Sequence, residues 1–284
     1  MSQPRVADIL VSARKKLEAA GIDNPHTDAR LMLQHASGLS HSQIIADPDQ
    51  ELDASVVASF DAALVRRLAR EPVSKIVGSR EFWSLEFIVS PQVLDPRPDS
   101  ETLIQTVLDE TDDRGASLRI LDLGTGSGCL LIALLDEFQQ AKGVGLDASA
   151  AALAVAQQNA ERLGVADRVS FIEGDWSAAA SEDRFDIVVS NPPYIATGDL
   201  EGLQPEVRLF DPVMALDGGS DGLDAYRQII SLVPELLASQ GLLVLEVGQG
   251  QSIDVSRLFA DSGANSIGVS KDLAGVNRCV FGHF

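Results

Sequence analysis

Alternating strand and helix patterns from residue 118 onward constrain the fold of this chain more than any other feature. Short apolar runs predict buried strands, and apolar residues at helical spacing predict the helices between them. The predicted strands cover residues 120–123, 143–146, 169–173, 185–190 and 242–247. The predicted helices cover residues 130–138, 150–163 and 226–238. This order is typical of an α/β domain with a doubly wound, parallel sheet.

The C-terminal end of the chain follows a different pattern. Two further strand-like segments, residues 266–270 and 278–281, have no helical pattern between them. They predict an antiparallel hairpin, which gives a mostly parallel sheet of seven strands.

The N-terminal part has little strand signal before residue 72. Helical spacing predicts helices over residues 6–17 and 29–36, and a third helix from an N-cap at Asp53 to residue 68. Residues 75–78 and 85–90 then predict two strands of a hairpin, and Asp99 is expected to cap the next helix. We therefore expect a small helical bundle domain over residues 1–71, a hairpin and connecting segment over 72–98, and the sheet domain over 99–284. The bundle carries no catalytic constellation, so it is expected to hold a partner or to support its neighbour.

The charge is unevenly distributed along the 284 residues. The net charge is −20, while residues 1–75 hold 9 basic and 10 acidic side chains, so residues 76–284 carry −19. Nucleic-acid binding draws on neutralised phosphates, and an acidic domain is therefore a poor groove for DNA or RNA. Two distant cysteines suit a reduced cytoplasm, and no apolar run long enough for a membrane span is present. The four histidines show no metal-ligand spacing, so no metal is expected.

One four-residue motif directly follows the predicted strand 185–190. It consists of Asn191, Pro192, Pro193 and Tyr194. The Asn side chain offers an accepting oxygen, the prolines leave backbone carbonyls without a neighbouring donor, and Tyr194 offers a flat face. The carboxyl ends of parallel strands are where such sheets bind ligands. The motif predicts a socket for a planar group with an NH2, either a carboxamide or the exocyclic amine of a base. A strand-end turn is the plainer interpretation.

Three further features predict an adenosine-type cofactor. The glycine-rich turn Gly124-Thr125-Gly126-Ser127-Gly128 follows the first strand of the sheet domain and precedes a helix. Asp147 ends the next strand, 21 residues after Gly126, where a carboxylate accepts from ribose hydroxyls, although it could also cap a helix. Asp175 and Trp176 follow the third strand, where the indole can pack on adenine and the carboxylate can accept from its amine. The NAD pattern G-x-G-x-x-G fails because Cys129 occupies the last glycine position.

Together these motifs resemble the class I S-adenosylmethionine-dependent methyltransferases, which are Rossmann-like. The resemblance is closest to the N5-glutamine methyltransferases that modify peptide chain release factors, and it runs over nearly the whole chain. Other matching stretches are residues 71–78, 80–84, 96–101, 210–212, 215–222 and 272–275. Two positions depart from the family pattern: Ser100, where Thr is more frequent, and Asp211, where Glu is usual.

The resemblance implies a role for each motif. Residues 124–128 would line the methionine part of S-adenosyl-L-methionine, Asp147 would bind the ribose, and Trp176 the adenine. Asn191 to Tyr194 would bind the glutamine amide of a Gly-Gly-Gln tip, and S-adenosyl-L-homocysteine would be the product. Arg97 and Glu101 lie in a segment that resembles one near the site, with no role assigned.

Four alternatives remain at this stage. A paralogous enzyme could methylate a ribosomal-protein glutamine, because both substrates present the same amide. Methylation of adenine N6 or guanine N2 could use the same motif, although the acidic balance counts against it. A cofactor-sensing module without chemistry would keep the cofactor site alone, and an NAD-dependent oxidoreductase conflicts with Cys129.

Overall fold

The computed structural model describes residues 3–179 and 184–284, and these fall into two compact units. The helical unit comprises the chain up to Ser79 together with Gln204–Phe210, and the sheet unit comprises Arg80–Leu203 and Asp211–Phe284. The helical unit therefore extends eight residues beyond the predicted bundle boundary at residue 71. It also takes up a short segment from the second half of the sequence.

Within residues 3–79, the part of this segment that the structure describes, the helical unit contains five helices. They are α1 (Val6–Ala19), α2 (Pro25–Ser37), α3 (His41–Ala46), α4 (Ala54–Leu68) and α5 (Val73–Val77). A sixth short helix, Pro205–Phe210, belongs to the same unit. The predicted helices correspond to α1, α2 and α4, and their apolar faces form one buried core that includes Leu17, Leu33 and Phe60. Helix α3 begins with a capping box between Ser40 and Gln43 that the sequence prediction missed.

One local prediction in this region is wrong. Residues 75–78 were expected to be a strand, but Val73–Val77 is helix α5, which ends at Gly78. Val73 and Ile76 are three residues apart, so both pack against the helical core, and a short apolar run cannot separate helix from strand by periodicity alone. Asp53 is the N-cap residue of α4, as predicted, although its side chain makes no capping hydrogen bond.

The hairpin of the sheet unit lies slightly later than predicted. Strands β1 (Ser79–Phe82) and β2 (Leu85–Ile88) form a separate two-stranded sheet. Their turn residues Trp83 and Ser84 have φ values of 51° and 60°, so both adopt the left-handed conformation that two-residue hairpins require.

Helix α6 (Glu101–Asp109) begins after a single 3₁₀ turn, Pro98–Ser100. The prediction that Asp99 caps this helix is wrong, because Asp99 lies inside the 3₁₀ turn and pairs with Arg278 at 3.0 Å. Its place at the helix start is taken by Ser100, which is 2% exposed.

The predicted seven-stranded sheet is confirmed. Its strands are β3 (Arg119–Leu123), β4 (Lys142–Asp147), β5 (Val169–Glu173), β6 (Phe185–Ser190), β7 (Leu237–Glu246), β8 (Ser266–Lys271) and β9 (Asn277–His283). The helices of the sheet unit that follow β3 are α7 (Cys129–Glu137), α8 (Ala150–Arg162), α10 (Asp224–Leu236) and α11 (Ser252–Asp261), and the short helix Pro205–Phe210 of the helical unit is α9. Helix α11 was not among the predicted helices.

The strand order is β5-β4-β3-β6-β7-β9-β8. Strands β3 to β7 are parallel to one another, and β9 runs antiparallel to both β7 and β8, as the hairpin prediction required. The order reverses between β3 and β6. In open α/β sheets a ligand crevice lies beyond the carboxyl ends of the strands at such a switch point.

Candidate functional site

A cavity of about 550 Å³ lies in the sheet unit, beyond the carboxyl ends of β3, β4, β5 and β6. This volume is that of a typical small-molecule site. Seven of the predicted site residues line it: Gly124, Gly126, Asp147, Asp175, Trp176, Asn191 and Pro193. The structure therefore brings together the motifs that follow four separate strands. The other five are not among the lining residues: Thr125, Ser127, Gly128, Pro192 and Tyr194.

Three residues of the glycine-rich turn shape the loop from behind the cavity. Thr125 and Ser127 are buried, and the Thr125 hydroxyl donates to Asp122 over 2.7 Å. Gly128 has φ 80° where α7 begins, and a Cβ there would lie 3.0 Å from Ile132 Cδ1 and 3.2 Å from Ala156 Cβ. Glycine adopts this conformation without strain, and the absence of a side chain allows the close contact with α8.

Asp147 joins the loops that follow β3 and β4. Its Oδ2 accepts from the Gly126 N–H over 2.9 Å, and its Oδ1 accepts from the Ser149 N–H over 2.9 Å. The cap of α8 is Ser149, whose hydroxyl accepts from Ala152 N–H, so the alternative reading of Asp147 as the helix cap is wrong. Asp147 is half-buried on the cavity wall, where its remaining accepting capacity is available to a ligand.

Trp176 and Asp175 stand at the end of β5 with different exposures. Trp176 is half-buried against the sheet core, and its ring lies 3.3 Å from the point where a side chain at Gly124 would begin. Asp175 is exposed, and bonds from the Ser177 hydroxyl and N–H hold the pKa of its carboxyl below the usual value. An indole face and a carboxylate thus lie together on one side of the cavity.

Asn191 is held by a residue that sequence reasoning left unassigned. Its Nδ2 donates to the Ser100 Oγ over 3.2 Å. With the NH2 directed at Ser100, the Asn191 oxygen is the atom left to accept from a ligand. The Ser100 hydroxyl also lies beside the carboxyl of Glu246 and favours its ionised form, which lowers the pKa of that carboxyl; Glu246 is 1% exposed at the end of β7.

The loop after Asn191 is clamped by Gln251. The Gln251 Nε2 donates to the Tyr194 carbonyl over 2.9 Å, while its Oε1 accepts from the Gly248 N–H over 3.0 Å. Ile195 also exchanges backbone hydrogen bonds with residues 216 and 218. Gln251 was missed because its partner lies 57 residues away.

Tyr194 packs against the sheet core rather than lining the cavity wall. Burial raises its pKa to about 12, with a further contribution from Glu246. The hydroxyl therefore stays protonated at neutral pH and is not a base.

The structure also places the two unassigned residues of the connecting segment. Glu101 accepts from the Trp83 N–H over 2.9 Å and so braces the hairpin turn. Arg97 donates to Asp211 over 2.8 Å, and the Asp211 side chain is fully buried. Glu101 is outside the cavity wall, whereas Arg97 lies within electrostatic reach of Tyr194.

Within residues 3–179 and 184–284, no group of three His, Cys, Asp or Glu side chains could hold a metal ion. The expectation that no metal takes part stays a prediction. In the same residues, no helix combines the length and apolar character needed to cross a bilayer.

Comparison with known proteins gives matches along nearly the whole chain. The family model for the PrmC N-terminal domain matches residues 8–78, and one for a methyltransferase domain matches residues 115–249. The chain is 45% identical to a release factor glutamine methyltransferase of Caulobacter vibrioides, covering 95% of this chain and 93% of that protein. It is also 45% identical to one of Cereibacter sphaeroides, covering 97% of each. A solved methyltransferase of Pyrococcus furiosus has a TM-score of 0.53 at 16% identity, covers 78% of this chain and 96% of its own, and shares the fold.

Proposed function

Because this chain belongs to the family of release factor glutamine methyltransferases, we propose that it methylates the side-chain amide nitrogen of a glutamine in a peptide chain release factor, using S-adenosyl-L-methionine. The substrate glutamine is that of a Gly-Gly-Gln tip. This assignment makes the chain a transferase that acts on translation termination, in agreement with the cytoplasmic location expected from the sequence.

One observation carries the proposal. The Asn191 side chain, its NH2 held by Ser100, lines the same cavity as Asp147 and Trp176. An acceptor for a carboxamide is thus placed beside acceptors and a flat surface suited to a nucleoside. The residue that would bind the substrate amide and the residues that would bind the cofactor therefore line the same cavity.

The residues present fit S-adenosyl-L-methionine. The close approach of the Trp176 ring to Gly124 leaves a narrow cradle that any side chain at residue 124 would fill, as an adenosine-binding crevice requires. Asp147 offers carboxylate oxygens to ribose hydroxyls, Trp176 a face to the adenine, and Asp175 an acceptor to its amine. Residues 124–128 would hold the methionine part. When bound, the cofactor supplies an electrophilic methyl group on its sulfonium sulfur.

The chain's own residues act mainly by orientation. An amide nitrogen is a weak nucleophile, because its lone pair is delocalised into the carbonyl. The Asn191 side-chain oxygen and the Pro192 carbonyl accept its two N–H bonds and stabilise the positive charge that develops there. Tyr194 packs against the sheet core and so anchors the loop, and Pro193 stiffens it. Such orientation contributes up to about 7–11 kcal/mol to lowering the barrier.

The alternatives differ in the substrate rather than in the socket. A ribosomal-protein glutamine offers the same amide, and a nucleic-acid base offers a similar NH2. The charge of −19 over residues 76–284 opposes a phosphate backbone, so nucleic acid is the less favoured of the two. No observation favours either alternative over a release factor as the substrate.

The test is transfer of labelled methyl from S-adenosylmethionine to a purified, unmethylated release factor. The control substrate carries alanine in place of the Gly-Gly-Gln glutamine. We expect label only on the substrate with glutamine. Equal labelling of both substrates would contradict the proposal. Cofactor binding without transfer would redirect it to a ribosomal protein first, and to nucleic acid second.

A further inference from the structure

Glu246 is a buried carboxyl that the reaction scheme above does not use. It ends β7 with 1% of its surface exposed, and within the described residues its Oε2 has no hydrogen-bond partner. Burying a carboxylate with an unpaired oxygen is unfavourable for folding. A side chain of this kind is poorly suited to a purely structural role, which an amide or an apolar group would fill better.

The contacts of Glu246 connect it to Asn191 through Ser100. Its carboxyl lies beside the Ser100 hydroxyl, which favours the ionised form of Glu246, and Ser100 Oγ accepts from Asn191 Nδ2 over 3.2 Å. A serine hydroxyl has a single proton to donate. When a carboxylate takes that proton, the Ser100 oxygen can only accept, and the Asn191 amide must turn its NH2 toward it.

We propose that Glu246 is a positioning residue, whose carboxylate fixes the Ser100 hydroxyl and thereby the Asn191 amide, with the Asn191 oxygen left to accept from the substrate NH2. This inference rests on the proposed function for its consequence in catalysis. The side-chain relay itself can be tested without any substrate.

Protonation of Glu246 weakens this arrangement. A neutral carboxyl can donate to Ser100, and the Ser100 proton is then free to point elsewhere, so the two orientations of the Asn191 amide become closer in energy. Burial raises the pKa of Glu246 to about 7, while the Ser100 bond and Arg278 act in the opposite direction. The ionised form required by the relay therefore predominates above about pH 7.

Groups from several elements surround Glu246 and act on its ionisation. Arg278 and Arg97 favour the carboxylate, and Asp99 opposes it. The Tyr226 hydroxyl bonds the Glu246 backbone carbonyl over 2.9 Å and not its carboxyl. Tyr194, Cys129 and Cys279 also lie within electrostatic reach of Glu246.

The first experiment follows the Asn191 side-chain NH2 by nuclear magnetic resonance. Selective ¹⁵N labelling of the five asparagines of the full chain gives five NH2 pairs, and the Asn191→Ala spectrum assigns one of them. We expect the Asn191 pair to shift with pH, with a midpoint near 7, in the wild type and to lose that shift in Glu246→Gln. Asp122, whose pKa burial also raises to about 7, is present in both proteins. An unchanged titration in Glu246→Gln overturns the proposal.

The second experiment measures methyl transfer against pH, with the melting temperature in parallel. We expect Glu246→Gln and Ser100→Ala to lower kcat at pH 8 by up to about 100-fold through misplacement of the substrate amide, with the cofactor KM unchanged. Ser100→Thr keeps the hydroxyl and should retain activity. The wild-type rate of methyl transfer should fall as the pH drops below about 7, and this fall should be absent in Glu246→Gln. The melting temperature of Glu246→Gln at pH 8 should not be lower than that of the wild type. If Glu246→Gln loses stability and activity together, or if its rate still falls below about pH 7, the role of Glu246 is merely structural.

The two experiments separate this inference from the proposed function. If the wild type transfers no methyl to a release factor, the proposed function fails, while the resonance experiment still decides whether Glu246 orients Asn191. If the wild type is active and Ser100→Ala matches it at every pH, the relay fails and the function stands.

Discussion

Asp147 accepts a 2.9 Å hydrogen bond from the Gly126 backbone N–H, so the loops following two adjacent strands are tied together at the cavity. The same carboxylate thus shapes the glycine-rich turn and faces the space where a ribose would lie. Substitution can separate these two roles of Asp147. The hydrogen bond from Gly126 needs only an accepting oxygen, whereas the interaction with the ribose hydroxyls uses the negative charge.

Asp147→Ala should raise the KM for S-adenosylmethionine strongly and lower kcat less. Alanine removes both the acceptor for the ribose hydroxyls and the tie to Gly126. Asp147→Asn is the matched control, since its amide oxygen can still accept from Gly126. Its KM for the cofactor should lie between that of the wild type and that of Asp147→Ala. Steady-state kinetics with varied cofactor give both constants, and a normal KM in Asp147→Ala would contradict the assignment.

Asn191→Ala should keep cofactor affinity and lose most of kcat, by about 100-fold or more. The side-chain oxygen acts on the substrate amide, and its loss removes an interaction with developing charge. Calorimetric titration with the cofactor and kinetics of methyl transfer measure the two effects separately. A large loss of cofactor binding would instead assign Asn191 a structural role.

Gly128→Ala should destabilise the sheet unit more than Gly164→Ala does. Both glycines have positive φ, 80° and 74°, so each alanine costs about 1–2 kcal/mol for the left-handed conformation. Only at residue 128 would the new Cβ also press on Ile132 and Ala156, whereas nothing lies within 4 Å at residue 164. Urea unfolding of the two variants gives the comparison, and equal losses would refute the packing argument.

Asp28→Ala should destabilise the helical unit by about 3 kcal/mol or more. Arg67 Nε donates to Asp28 over 2.6 Å, both side chains are only 8% exposed, and truncation removes one of the two carboxylates that pair with this buried guanidinium, leaving Glu206. Asp8→Ala, which removes the exposed pair with Arg5, should cause no measurable change. Urea unfolding followed by circular dichroism tests this, and similar midpoints for both variants would count against the buried pair.

Asp122→Asn should raise the melting temperature at pH 8 by a few degrees and change it less at pH 5. Burial raises the pKa of Asp122 to about 7, above its value in the unfolded chain, so the folded state binds the extra proton between about pH 4 and 7. Wild-type stability from this group is therefore present at low pH and lost as pH rises through about 7. Scanning calorimetry at the two pH values checks the sign, and a larger gain at pH 5 would reverse it.

The sequence by itself determined the sheet and the place of the site. Apolar runs marked the strands, and parallel strands bring their carboxyl ends to one edge, so Gly124, Asp147, Trp176 and Asn191 had to converge there. The motif residues each follow a strand directly, which is why their grouping could be predicted without coordinates.

Only the tertiary structure decided which partners hold those residues. Ser100 meets Asn191 across 91 positions, Gln251 clamps Tyr194 across 57, and Arg67 pairs with Glu206 across 139. Such pairs depend on how loops and helices pack, and no periodicity along the chain records them. The same limit explains residues 75–78, whose apolar spacing suits either a helix or a strand until the helical core selects the helix.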